Sequence, residues 1–143
     1  MRGVYRNKLY EGEDGCALKI RSVMGSTFAH VLCFAAFIGL ENSKSTPLKT
    51  ADRVNDAVDL EIFEKQRLIS YVYSIPFIGL KYDSNAIVHE EESIVLFESY
   101  ANAGMKIINQ LIIDHPTDTS GVETIISLIR NIHSDNMQLI NKS

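Results

Sequence analysis

Two windows of this chain are apolar at a helical period. From Phe28 to Leu40 almost every position is apolar, which implies a helix buried on several sides. The window is thirteen residues long and contains His30, whereas a membrane span needs roughly 20 apolar residues. It therefore reads as a core helix. From Glu90 to Ile113, Ile94, Phe97, Ala101, Gly104, Met105, Ile108 and Leu111 recur at three- and four-residue steps. That is one continuous core face on the longest helix. Ala101 and Gly104 are small, so a neighbouring helix can approach closely there.

The stretches between these windows carry stop and start signals. Gly25-Ser26-Thr27 opens the first helix, with Ser26 or Thr27 as cap, and Gly39 with Asn42-Ser43 closes it. Residues 41–58 form a polar connection in which Ser45-Thr46-Pro47 disfavours helix and Ala51–Ala57 allows one turn of it. Asp59 is a good N-cap for a helix carrying Ile62, Phe63, Leu68, Ile69 and Val72, kinked or stopped at Pro76. Phe77–Leu80 then reads as a buried turn and Lys81–Asn85 as a loop. Ser120-Gly121-Val122-Glu123 is a capping box for a last helix with Val122, Ile125, Ile126, Ile129 and Ile132 on one stripe, extended by Met137, Leu139 and Ile140.

The first 24 residues are mixed. Val4, Tyr5, Leu9 and Tyr10 fit one face of a short helix, broken at Glu11–Gly15. Ala17–Val23 alternates weakly, which permits a strand or an extended arm. The expectation is an all-α fold: one domain over residues 1–143, about four main helices, and an N-terminal arm within 1–24.

Charge divides unevenly. Residues 1–53 carry eight Lys/Arg against five acids, whereas residues 54–143 carry six against thirteen. A positive first third allows contact with nucleic acid or an acidic partner, although an excess of three falls short of a basic stripe. No basic start leads into a long apolar run, so no signal peptide and no membrane are expected, and the location reads as cytoplasmic. Cys16 and Cys33 then read as reduced thiols packed as small apolar residues.

Candidate chemistry is sparse. His30, His89, His115 and His133 are scattered, and His30 with Cys33 one turn on gives two ligands where a zinc site needs more, so no metal and no cofactor are expected. The sequence contains no glycine-rich phosphate loop, HExxH, GxSxG or CxxC. Glu90-Glu91-Glu92 is explained by the positive end of a helix dipole. Tyr100 and Asn102 flank the core face of the long helix. There they could offer a phenol and an amide to a groove, an adenine edge included, or simply pack at the core boundary and bond a neighbouring loop. An enzyme is the weaker class, kept only as a small hydrolase using Cys33 or a serine.

Two passages resemble a known family. One is Val31-Leu32-Cys33-Phe34-Ala35-Ala36-Phe37-Ile38-Gly39-Leu40, followed after a polar gap by Thr46-Pro47-Leu48. The other is Phe97-Glu98-Ser99-Tyr100-Ala101-Asn102-Ala103-Gly104-Met105. Their order and content resemble the DNA phosphorothioation-associated family, the fourth accessory protein named with bacterial Dnd systems. The resemblance spans roughly residues 28 to 112. It implies a role in a defence system that replaces a DNA phosphate oxygen with sulfur, and it brings no catalytic residues.

The first functional expectation is therefore a non-enzymatic accessory or regulatory subunit, with Tyr100, Asn102 and Gly104 at a surface that docks other proteins of a phosphorothioation or restriction gene cluster. The second is a dimeric DNA binder resembling ribbon-helix-helix proteins. In that reading Lys19 and Arg21 project from a strand, and Lys44, Lys49 and Arg53 join them on phosphates.

Overall fold

A computed structural model of the chain describes residues 3–11, 15–24, 27–81 and 90–142, the last ten of these as backbone. Its elements are β1 (Gly3–Val4), α1 (Cys16–Met24), α2 (Phe28–Glu41), β2 (Val58–Asp59), α3 (Leu60–Lys65), α4 (Ile69–Gly79), α5 (Glu90–Ile113) and α6 (Val122–Lys142). Single 3-10 turns occupy Lys8–Tyr10 and Thr50–Asp52. The fold is broadly all-α, with six α-helices among the described residues in place of the four main ones expected.

The two apolar windows become the central pair. α2 and α5 make the most extensive contact between elements in the molecule, and small residues let their backbones meet. A Cβ added to Gly104 would collide with the carbonyl oxygen of Ala35, and one added to Gly39 would collide with that of Tyr100. Each helix thus supplies a glycine to receive the other's carbonyl, one turn apart. As residue numbers rise along α2 they fall along α5, so the pair is antiparallel. Ala29, Ala35 and Ala36 of α2, and Ile94, Phe97 and Ile108 of α5, are almost wholly buried around this seam.

α4 lies along α5 in the parallel sense, since Val72 meets Ser93 and Gly79 meets Tyr100. Pro76 sits inside α4 without ending it, contrary to the expected stop, and the helix runs on to Gly79 over most of the expected turn at Phe77–Leu80. Proline lacks the N–H that would serve the carbonyl four residues back. Here that carbonyl belongs to Val72, and it accepts a bond from the buried Ser93 hydroxyl at 3.3 Å.

The expected single helix from Asp59 is broken in two at Arg67, which takes φ 61°. The break is a Schellman turn: Leu68 N–H donates to Phe63 O at 2.7 Å and Arg67 N–H to Glu64 O at 3.0 Å. α2 closes the same way through Ser43 at φ 53°, with Lys44 N–H on Gly39 O and Ser43 N–H on Leu40 O. α3 then docks on α5 by an edge-to-face pair, Phe63 with Phe97, 6.0 Å between centroids. Fully burying a side chain of this size is worth ~1.5–3 kcal/mol.

The N-terminal expectations need the largest correction. Residues 16–24 are helical, so Lys19 and Arg21 do not stand on a strand. The strand lies earlier, at Gly3–Val4, and pairs antiparallel with Val58–Asp59 of the same chain, Gly3 opposite Asp59 and Val4 opposite Val58. Val4 is fully buried, and an isolated bridge joins Asn7 to Arg53. The turn of helix allowed at Ala51–Ala57 is a 3-10 turn at Thr50–Asp52. The capping box of α6 also works differently. Asp118 accepts from the Thr124 N–H and the Thr124 hydroxyl, both at 2.8 Å, while Ser120 reaches only Val122 N–H at 3.4 Å. These bonds, the Thr124 N–H first, hold the Asp118 carboxyl below its ordinary range. Ser26, His89, the tip of the 81–85 loop and the side chains of His133, Met137, Leu139 and Ile140 lie outside the described residues.

The α2–α5 seam gives a substitution test of defined sign. Gly to Ala inside an ordinary helix stabilises by about 1 kcal/mol. Gly104→Ala is expected to destabilise instead by ~2–3 kcal/mol, because the methyl group meets a backbone oxygen that cannot swing aside. Urea unfolding of the two chains measures the sign.

Candidate functional site

The string from Glu98 to Met105 is where the separate parts of the chain converge on α5. Glu98 is buried and accepts from Tyr5 N–H at 2.6 Å, tying in the N-terminal segment. Ser99 O accepts from Thr46 N–H at 2.9 Å. Tyr100 carries the carbonyl that meets Gly39, and its ring lies against Gly79 of α4. Asn102 accepts from Asn7 Nδ2 at 2.9 Å and donates to Thr46 O at 3.1 Å. Gly104 seats the Ala35 carbonyl, and Met105 O accepts from the Cys16 thiol at 3.6 Å.

Of the three residues expected at a partner surface, Gly104 lies buried inside the α2–α5 seam. Tyr100 is half-buried between α2 and α4. Asn102 is half-buried and bonds a neighbouring loop. What Asn102 does build is a wall. Through Ser99 O and Asn102 Nδ2, α5 holds both the N–H and the C=O of Thr46, so the connection after α2 is strapped against the helix.

Beside that strap runs a groove of about 340 Å³ lined by Lys44, Thr46, Ala103, Lys106, Ile107 and Gln110. Its floor is apolar at Ala103 and Ile107, and its rim carries two exposed ammonium groups. Lys44 owes its place to the Schellman turn, which turns the chain back over the end of α2. Sequence reading missed Lys106 and Ile107. The signal available was that Lys106 is the single basic residue in a 24-residue helix.

The cations expected on DNA are dispersed. Lys19 is half-buried with its stem against Gly121. Arg21 lies over the Phe28 ring at 5.0 Å, and Arg6 lies over the same ring at 4.5 Å while paired with Glu11 at 2.7 Å. Arg53 stacks on Tyr5 at 4.6 Å, its Nε enclosed without a hydrogen-bond partner. Lys49 is exposed at the start of a 3-10 turn, and Lys44 belongs to the groove.

The thiols are poor nucleophiles. Burial pushes both Cys16 and Cys33 up to about 12, so each stays protonated near neutral pH, and the thiolate is the reactive form. A wider depression of about 590 Å³ opens between the end of α5 and the start of α6, with His115, Asp118 and Glu123 among its lining. His115 Nδ1 is bonded to Leu111 O at 2.7 Å and Asp118 is occupied in the cap. Among the described residues no three His, Cys, Asp or Glu side chains gather as metal ligands would, and no single helix is long and apolar enough to cross a membrane.

Removing the Asn102 amide releases the wall of the groove. Asn102→Ala is expected to cost ~0.5–1.5 kcal/mol for each of its two bonds, the usual net worth where the freed partners can reach water. It should also speed amide hydrogen exchange at Thr46 while leaving amides of the buried α2–α5 seam, such as that of Ile108, unchanged. Exchange measured residue by residue separates the two.

No curated protein and no solved structure matches the chain. The model of one family, described as DNA sulphur modification system-associated protein 4, matches residues 20–142, which takes in the whole α2–α5 pair and the groove. The chain therefore belongs to the family of DNA sulphur modification system-associated protein 4.

Proposed function

We propose that this chain is a non-enzymatic accessory or regulatory subunit of a DNA phosphorothioation-linked defence system, acting through contacts with other proteins of its gene cluster. The observation that carries this reading is its place in a family associated with DNA sulphur modification. The chemistry of the molecule supports it. Both thiols are held neutral by burial, and the side chains of the Glu98–Met105 string are engaged in holding the fold together. A subunit of this kind needs a stable scaffold and an exposed contact surface; Asn102 supports one such surface by holding Thr46, whereas Tyr100 packs against Gly39 and Gly79.

The alternative is a protein that binds DNA directly through Lys19, Arg21, Lys44, Lys49 and Arg53. It draws support from the positive first third of the chain. It no longer has the strand that a ribbon-type reader places in the major groove.

Affinity purification from a host carrying the whole gene cluster is expected to bring down at least one cluster protein in stoichiometric amount. Recovery of the bare chain alone would contradict the proposal. A low-salt gel shift with duplex DNA tests the alternative, which requires a complex that weakens steeply as salt rises.

A further inference from the structure

We propose that the groove between the strapped 44–46 segment and α5 docks an acidic, aliphatic segment of a partner protein, with carboxylates on Lys44 and Lys106 and an apolar side chain on Ala103 and Ile107. This inference rests on the protein-contact reading above and assigns it a surface. Three observations carry it.

The first is the charge itself. Lys106 stands in a helix whose charged side chains are otherwise Glu90, Glu91, Glu92 and Glu98. The positions one turn away on its own helix are Asn102, Ala103, Asn109 and Gln110, so it has no intrahelical carboxylate of the kind that Glu61 gives Lys65 at 3.4 Å. Lys44 likewise has no ion pair among the described residues. Two uncompensated cations on one groove, in a chain of net charge −4, complement an acidic ligand.

The second is the floor. Ala103 and Ile107 offer an apolar strip between the cations, and about 340 Å³ accommodates one or two aliphatic side chains. A duplex backbone would present phosphates in a row and nothing to fill that strip. A protein segment with spaced acids and an aliphatic anchor between them fits both features.

The third is the pre-formed wall. The groove keeps its shape because Thr46 is held through both of its backbone polar groups by Ser99 and Asn102. A ligand therefore does not have to order the 44–46 segment on binding, which removes part of the entropic cost.

The test uses the full chain against each other protein of the gene cluster, purified singly, and against a short duplex DNA, by calorimetry or surface binding. Lys44→Glu/Lys106→Glu is compared with Lys44→Arg/Lys106→Arg, after an unchanged thermal midpoint shows that both variants fold. The proposal expects one cluster protein whose affinity falls by about tenfold or more with the glutamates and is kept with the arginines. A cluster protein that binds the glutamate variant as tightly as the parent overturns the groove while leaving the protein-contact reading standing. If no cluster protein binds the parent chain, that reading fails and the groove fails with it. Loss of DNA binding alone, or of self-association alone, in the glutamate variant overturns the proposal in favour of a phosphate or a second copy as occupant.

Discussion

Ala35 turns its carbonyl oxygen onto Gly104, and Tyr100 turns its own onto Gly39, so that α2 and α5 touch backbone to backbone at two points one turn apart. At this separation no side chain larger than hydrogen fits at either glycine. The benefit is that the alanines and isoleucines on either side come into full van der Waals contact. Each such contact is small, but together they are a large part of what holds a protein interior. Everything else is placed relative to this pair. α4 lies on α5 through Val72–Ser93 and Gly79–Tyr100, α3 through the Phe63–Phe97 edge contact, and the N-terminal ribbon through Glu98 and Asn102.

The same constraint explains why the Glu98–Met105 string is both distinctive and chemically quiet. Its glutamate holds a backbone N–H, its asparagine bridges two segments, and its tyrosine wedges between two glycines of neighbouring helices. Residue types that look functional in the sequence are doing internal work. The surface they create is secondary: by fixing Thr46, Asn102 holds one wall of a groove whose charged members are Lys44 and Lys106. Function, on this view, sits beside the motif, and the motif keeps its geometry.

Much of the helical core was legible because burial writes a period into the sequence. The bounds of α5 at Glu90–Ile113 follow the apolar stripe and the acidic start, and α2 follows its all-round apolar run. The breaks were less legible where the chain uses unusual residues for them. Arg67 and Ser43 take the left-handed conformation that glycine favours, so nothing in the sequence marks the division between α3 and α4. Pro76 signals a stop that does not occur, because a serine fourteen residues beyond the end of α4 supplies the missing donor. Neither that rescue nor the pairing of Gly3–Val4 with Val58–Asp59 leaves a local trace. Both depend on residues distant in the chain. The groove is half visible in the sequence: Lys44 and Asn102 stand out there, but only the folded connection brings Lys44 alongside Lys106.

If the α2–α5 contact is the element on which the others depend, the two helices must lose their protection together. Native-state hydrogen exchange across a urea series reads this directly. The amides of residues 31–40 and 97–108 should merge into one set that opens only with global unfolding, while those of the N-terminal ribbon and of α6 open at lower free energy. A separate, lower-energy opening of α2 that leaves α5 protected would contradict the account.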